Sequence, residues 1–344
     1  MTAIHRFQIP DYLNASSPVE YRRGKRENVR LFVLDRKRER TFHSLFTQLV
    51  SFLSPGDLLV LNNSRTIPSV LKGRLDGKNI EVRLSRRLSD DEWEVLIIGG
   101  KCSIGNVIEF PAGLTARITE MKKNSPLSKL AFSKESLELY HIIYQYGEPI
   151  RYEYIDHPWP LDAYQNVYAS VPGSVEMPSA GRALSWKMLN MLKRYGIQIA
   201  YLQLHAGLSY YGQNRWPVAN EHPEHFHIPA VTADLVNKTK KNNNRVIAVG
   251  TTVVRALESS VDGCGKVEPQ DNITKLNIQK SYSLKVVDGL LTGFHEPEAS
   301  HLDLLSAFID ENFLIQAYRE AIDMGYLWHE FGDMNLIIPI LEQC

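Results

Sequence analysis

The amino-acid sequence predicts an α/β protein: a three-layer α/β domain formed by both ends of the chain, residues 1–68 and 156–344, with a small β-barrel domain inserted at residues 69–155. Three observations carry this expectation. After Asp156, buried-strand runs alternate with longer stretches of helical periodicity, the pattern of a largely parallel sheet covered by helices. Between Ser69 and Ile155 the rhythm changes to short strands punctuated by Asp-Gly, Gly-Gly and Pro-Ala-Gly, as in a small antiparallel barrel or sandwich. Before Ile67 the run "LLVLNN" leaves the turn Pro55-Gly56 as a buried strand, so the N-terminal segment also supplies a sheet.

The elements follow in chain order. Leu31 to Leu34 reads as a strand ahead of "LLVLNN". The inserted segment offers "IEVRLSRRL", "WEVLIIGG" and "ARITEM". Ser179 to Tyr195 reads as a helix, with Leu184, Met188, Leu189 and Leu192 on one face and Gly196 as its stop. "IQIAYLQL" is a buried strand. Thr232 to Lys241 is a helix behind an N-cap threonine. "RVIAVG" is a further buried strand, followed by a helix from Thr252 to Ser260. Ser300 and Asp303 open another helix in a near capping-box pattern.

Composition excludes some classes and leaves others open. The chain has 344 residues, with 39 Lys+Arg balanced by 39 Asp+Glu, so no global field favours nucleic acid. One local excess stands out. Residues 22 to 40 carry Arg22, Arg23, Lys25, Arg26, Arg30, Arg36, Lys37, Arg38 and Arg40 against Glu27, Asp35 and Glu39. A solvated hairpin surface is the ordinary expectation for such a run, and a phosphate-contacting edge the sharper one. Cys102, Cys264 and Cys344 are odd in number and far apart, which suggests no disulfide framework and no Cys-x-x-Cys site. There is no apolar signal-peptide core and no bilayer-length apolar run, so a cytoplasmic protein without a membrane partner is expected.

In open parallel sheets, ligands bind beyond the carboxyl ends of the strands. "DLLVL" is followed by Asn62-Asn63-Ser64-Arg65, "IAYLQL" by His205, "VIAV" by Gly250-Thr251-Thr252 and then Arg255 and Glu258, and "VVDGLLTGF" by His295. Four polar strand ends in one domain outline a cleft. A strand, a glycine turn and two threonines opening a helix make an anion-binding geometry, or simply a capped helix. Arg255 can meet a carboxylate or phosphate, or pair with Glu258 at i,i+3. Asn62 and Asn63 are good turn residues, or else amides that read a base or sugar edge. The stretch "EHPEHFHIP" at 221–229 places three histidines and two glutamates together, a set of metal-ligand types, although Pro223 and Pro229 disfavour the helix that would align His222 with His225.

At these same residues the chain resembles the S-adenosylmethionine:tRNA ribosyltransferase-isomerases of queuosine biosynthesis. The matching stretches are "SPGDLLVLNNSRTIPSVLKG", "GSVEMPSAG", "LHAGL", "NRVIAVGTTVVRALE", "VVDGLLTGFH", "AYREAI" and "FGDMNLIIP", in the family's order and across nearly the whole chain. The resemblance implies the architecture above. It also implies transfer and isomerisation of the ribosyl moiety of S-adenosylmethionine onto 7-aminomethyl-7-deazaguanine at the tRNA wobble position, with release of adenine and methionine. It implies no metal or redox cofactor, S-adenosylmethionine being a substrate, and a monomer whose partner is tRNA.

The chemistry assigns expected roles. The sulfonium acidifies the C5′ protons, so a base is needed, and the acceptor amine must be neutral to attack. His205, His222, Glu224 and His295 are the candidates for proton transfer; Gly250, Thr251, Thr252 and Arg255 suit an anion; Asn62, Asn63 and Arg65 suit a base or sugar edge. Within "EHPEHFHIP" the family's Met-His-x-Glu falls on Glu221 to Glu224, which singles out His222 and Glu224 and leaves His225 and His227 as local variation. Departures fall in motifs: the family's "AGLHF" histidine is Ala183 here, a family lysine is Glu298, and Pro-Gly-Tyr becomes Lys280-Ser281-Tyr282. They leave open a paralogue that uses S-adenosylmethionine with another acceptor, a non-catalytic RNA-binding relative and, from the histidine cluster, a metal hydrolase.

Overall fold

A computed structural model describes residues 7–123, 125–212, 215–217, 222–297 and 300–341. Seventeen strands build two main bodies. The N-terminal segment gives β1 (Arg30–Asp35), β2 (Arg40–Leu45), β3 (Leu58–Asn62) and the short β4 (Ser64–Thr66). Six strands then close a barrel: β5 (Val70–Leu75), β6 (Lys78–Arg87), β7 (Glu92–Ile98), β8 (Val107–Glu109), β9 (Thr115–Met121) and β10 (Leu127–Phe132), in the order β10-β7-β6-β5-β8-β9. The chain returns through β11 (Val171–Ser174), which pairs with β4, to β12 (Gln198–Leu204), β13 (Glu224–Ile228), β14 (Val246–Val249), β15 (Gln270–Thr274), β16 (Gly289–Gly293) and β17 (Met334–Ile338).

The large sheet has nine strands in the order β15-β13-β12-β3-β14-β16-β17-β1-β2. Its centre, β12-β3-β14-β16, is parallel, and β17 runs parallel to β1; the other neighbours are antiparallel. The sheet is therefore mixed, where alternation of strands and helices predicted a largely parallel one. β2 and β13 follow their neighbours with no helix between them among the described residues, whereas β15 and β17 join β13 and β16 antiparallel although helices intervene, so strand–helix alternation alone does not fix the direction of a pairing.

The three layers follow from period-2 side-chain alternation. In β3, Leu58 and Val60 enter one core while Leu59 and Leu61 enter the other; in β14, Val246 and Ala248 part in the same way from Ile247 and Val249. All of these residues are buried, which is why both strands read as unbroken apolar runs. The two starts are stapled by a buried ion pair, Arg245 Nε donating to Asp57 Oδ2 at 3.1 Å.

Several helix boundaries differ from the expected ones. The 179–195 stretch is a 3₁₀ turn followed by a helix at Trp186–Arg194, started by Ser185, whose Oγ accepts from Met188 N at 3.2 Å. The next helix runs Ala230–Lys241 from Pro229, and Thr232 donates to Tyr201 O at 2.6 Å instead of capping. The helix after β14 runs Thr251–Ser259 from Gly250, whose φ of 99° no threonine would adopt without strain. A helix at Ser300–Leu305 lies where the near capping box predicts one.

The basic 22–40 segment is divided: Arg23, Lys25, Lys37, Arg38 and Arg40 are exposed, as a solvated surface requires, whereas Arg22, Arg26, Arg30 and Arg36 are partly buried. Arg22 donates to Ser17 O at 3.0 Å and to Phe331 O, Arg26 to Gln165 O at 3.1 Å, and Arg36 to Asp288 O at 3.0 Å. Arg30 holds Asp333 and Met324 O, and Arg38 holds Asp35 and Ile340 O. These guanidiniums clamp carbonyls and carboxylates of distant segments, because a planar five-donor fork satisfies several acceptors at once.

Candidate active site

The carboxyl ends of β12, β14 and β16 open onto a cleft of about 800 Å³, whose rim on the barrel side carries Ser85 and Arg86. Its first wall is built by strand ends. Gly250 turns β14 into the following helix, and Gly250, Thr251 and Thr252 line the cleft, so the amides of that helix N-terminus face it. Arg255, one turn in, also lines it. Its guanidinium donates to Glu224 and, through Nε, to Leu276 O at 3.0 Å. Arg255 does not pair with Glu258. That carboxylate instead accepts the backbone amides of Lys285, Val286 and Val287 at 3.0 Å each, fixing the approach to β16.

His205 and His295 occupy the ends of β12 and β16. His205 Nδ1 meets Ser64 Oγ at 2.7 Å, and burial, then the nearby His225 and Arg87, push its imidazole down to about 4. A Cβ on Gly173 would lie 2.5 Å from that ring, so only glycine fits beneath it. His295 Nε2 meets Thr292 Oγ1 at 2.8 Å and is held well below the ordinary range by burial, then by His301 and His329. Both histidines are therefore neutral at pH 7, able to donate and accept hydrogen bonds and weak as bases. His222 lines the cleft against Tyr211, whose hydroxyl lies 2.7 Å from Nε2.

Asn62, Asn63 and Arg65, expected to suit a base or sugar edge, do not line this cleft. Asn62 is 1% exposed and its amide is fully engaged: Oδ1 accepts from Ser64 N and Leu204 N, and Nδ2 donates to Leu204 O at 2.8 Å and Thr252 Oγ1 at 3.4 Å. It ties the ends of β3 and β12 to the threonine turn. Asn63 donates to Ser170 Oγ at 3.3 Å and its backbone holds the 170 segment. Arg65 interacts with Tyr144 on the helix that follows the barrel.

"EHPEHFHIP" becomes a strand over most of its length, not a metal centre. Successive side chains point to opposite faces, so His225 and His227 share one face, and both meet Asp271 on β15, at 2.5 and 3.4 Å. Among the described residues, no group of three or more His, Cys, Asp or Glu is placed to hold a metal ion. Glu221 and Glu298 lie outside the described residues. Ala183 borders a void of about 10 Å³ shared with His329 and Glu330.

The opposite wall contains residues that sequence reasoning missed. Tyr152 donates to Glu176, which also accepts Ser209 N at 2.8 Å; Tyr154 donates to Glu330. Burial raises both carboxyls, Glu330 to about 7, and neighbouring carboxylates add to it, Glu176 acting on Glu330 and Glu224 on Glu176. His329 stacks on Tyr154 with centroids 4.1 Å apart, and His301 stacks on His295 at 4.9 Å; burial takes both imidazoles down to about 4. The one signal available in sequence was the Tyr-x-Tyr spacing of "RYEY", which puts both rings on one side of an extended segment.

The sequence profile of a family described as queuosine biosynthesis protein matches residues 2–337. Relatives similar to the chain include the S-adenosylmethionine:tRNA ribosyltransferase-isomerase of Carboxydothermus hydrogenoformans, 36% identical over 346 residues that cover 96% of this chain and 98% of that protein. The enzyme of the same name from a Sulfurihydrogenibium species is 33% identical, with 96% and 98% covered. Among solved structures, the crystal structure of the S-adenosylmethionine tRNA ribosyltransferase from Thermotoga maritima is 30% identical, with a TM-score of 0.55 over 96% of this chain and 99% of that one.

Proposed function

The chain belongs to the queuosine biosynthesis protein family, and from that premise we propose that it is a transferase-isomerase acting on S-adenosylmethionine and tRNA. It transfers and isomerises the ribosyl moiety onto 7-aminomethyl-7-deazaguanine at the wobble position, giving epoxyqueuosine-tRNA with release of adenine and methionine. The observation that carries this reading is one cleft that joins a helix N-terminus and Arg255, suited to a carboxylate, to a cluster of neutral histidines and high-pKa carboxyls, suited to moving protons.

The donor's methionine carboxylate sits at Gly250 to Thr252 and shares Arg255 with Glu224. His205, His222, Glu224 and His295 surround the reacting sugar as hydrogen-bond and proton partners. The chemistry calls for no metal or redox cofactor. Residues 1–68 and 156–344 form the catalytic domain and 69–155 the barrel domain. The protein works as a cytoplasmic monomer; among the described residues no helix is long and apolar enough to cross a membrane.

The test is incubation with S-adenosylmethionine and tRNA carrying the aminomethyl base, with adenine and methionine as readout. Release that requires that tRNA supports the proposal. Ala183 beside Glu330 and His329, where the family resemblance expects a histidine, favours one second reading: the same donor with another acceptor. Release without that tRNA supports this reading, and tight tRNA binding without release points to a non-catalytic relative.

A further inference from the structure

The wall opposite the strand ends is aromatic and acidic at once. Tyr152 and Tyr154 lie with ring centroids 6.2 Å apart; Tyr210 meets Tyr152 edge-on at 5.8 Å and packs on Trp216 at 4.8 Å. Each of the first two tyrosines presents a carboxyl group, Glu176 and Glu330, and all of these side chains line the cleft. The cations nearby are already matched: Arg255 by Glu224, and Arg86 by Glu94 at 2.9 Å. Beside Glu330, Tyr164 is 2% exposed and keeps a hydroxyl with no hydrogen-bond partner. Tyr164 packs with Met177 and Phe331 behind the cleft lining.

Packing alone does not account for this arrangement. Two half-buried carboxyls lining one cleft, Glu330 raised in part by the charge of Glu176, disfavour ionisation, whereas a cation that meets them relieves that penalty. Tyrosine faces attract the same kind of ligand through their quadrupoles. We infer that Glu176 and Glu330, framed by Tyr152, Tyr154 and Tyr210, receive the organic cation of the ligand. This rests on the functional reading above, which supplies two such cations, the sulfonium of the donor and the primary ammonium of the acceptor. On either, the carboxylates hold the charge; on the amine, one of them also takes the proton that must leave before nitrogen attacks.

The experiment compares charged and uncharged partners. Equilibrium binding is measured for S-adenosylmethionine and S-adenosylhomocysteine, and for tRNA bearing the aminomethyl base or its nitrile analogue, with the wild-type protein, Glu176→Gln and Glu330→Gln. The wild type is expected to prefer the charged member of one pair by about tenfold, and each variant to reduce that preference to about twofold. Loss within the first pair assigns the sulfonium, and loss within the second the amine. Preferences unchanged in both variants overturn the inference and leave the proposed function standing. Equal weakening of charged and uncharged partners also overturns it, since it marks a structural role. A wild type that binds neither S-adenosylmethionine nor tRNA sinks the functional reading, and the inference with it.

Should a substitution prevent folding, the wild type still decides. Glu330 faces Tyr154, Glu176, Arg182 and Tyr164, with His329 adjacent; the tyrosines and His329 titrate well outside the neutral range. The preference for the charged member of whichever pair binds here therefore grows between about pH 6 and about pH 8 as Glu330 ionises. Ratios that stay flat across that window for both pairs overturn the inference.

Discussion

The two walls of the cleft are built in opposite ways. The strand-end wall is made by backbone: β3, β12 and β14 fix where Gly250, Thr251 and His205 stand, and Asn62 locks those ends together with hydrogen bonds to both. The tyrosine–glutamate wall is made by side chains drawn from four separate segments, around 152–154, 176, 210 and 330, two of which bring a carboxyl raised by burial. The difference teaches that position and reactivity are supplied separately here. Damage to the hydrogen-bonded lock behind the first wall is read as lost stability, damage to the side chains that face the ligand as lost turnover, and damage to the second wall as lost discrimination.

The comparison is broken most severely at Asn62. Asn62→Ala strands buried amides of Ser64 and Leu204 and the Leu204 carbonyl, at a cost of about 3 kcal/mol in denaturant unfolding. A loss below about 1 kcal/mol would remove the lock from the account. Arg255→Ala comes next. It leaves Glu224 unpaired and the helix N-terminus without its cation, and kcat/KM for adenine release should fall about 100-fold with the melting temperature little changed. Activity within a few-fold of wild type would take Arg255 off the site.

The second wall is sharpened by pH. Glu330 carries a folded-state pKa of about 7 against an ordinary 4.5, so its contribution to stability is fully present below about 4.5 and is lost as pH rises through about 7. The histidines oppose it. His205, His301 and His329 are lowered from 6.5 to about 4, so their contribution is present above 6.5 and lost as pH falls through about 4. Glu330→Gln should therefore gain on the wild type as pH rises from about 4.5 to about 7, and thermal melts across that range isolate this carboxyl from the histidines; parallel curves would refute its raised pKa. The smallest effect lies outside both walls. His225→Ala removes a half-exposed contact to Asp271 and should change stability by no more than about 0.5 kcal/mol and leave turnover intact.

The sequence made the first wall legible because each of its residues ends an apolar run, and apolar runs are what burial on both sheet faces writes into a chain. The second wall left almost no such trace. Tyr154 and Glu330 are 176 positions apart, on segments without periodicity, and their meeting depends on how the return from the barrel lies against the approach to β17. The partly buried arginines Arg22, Arg26 and Arg36 were illegible for a related reason: charge is visible in sequence, whereas the carbonyls that absorb it are not. "EHPEHFHIP" shows the same limit, since a ligand-rich composition became a strand whose histidines share one carboxylate.

The arginine clamps also bear on how the chain is born. β1 pairs with β17, and Arg30 reaches Asp333 across 303 positions, so the first strands leave the ribosome long before their partners exist. The barrel strands pair within 70–132 and can settle while synthesis continues. Until those partners emerge, β1 has β2 on one edge only, and β3 lacks both of its strand partners, β12 and β14. Release of the last strand is then the event that completes both the sheet and the catalytic cleft.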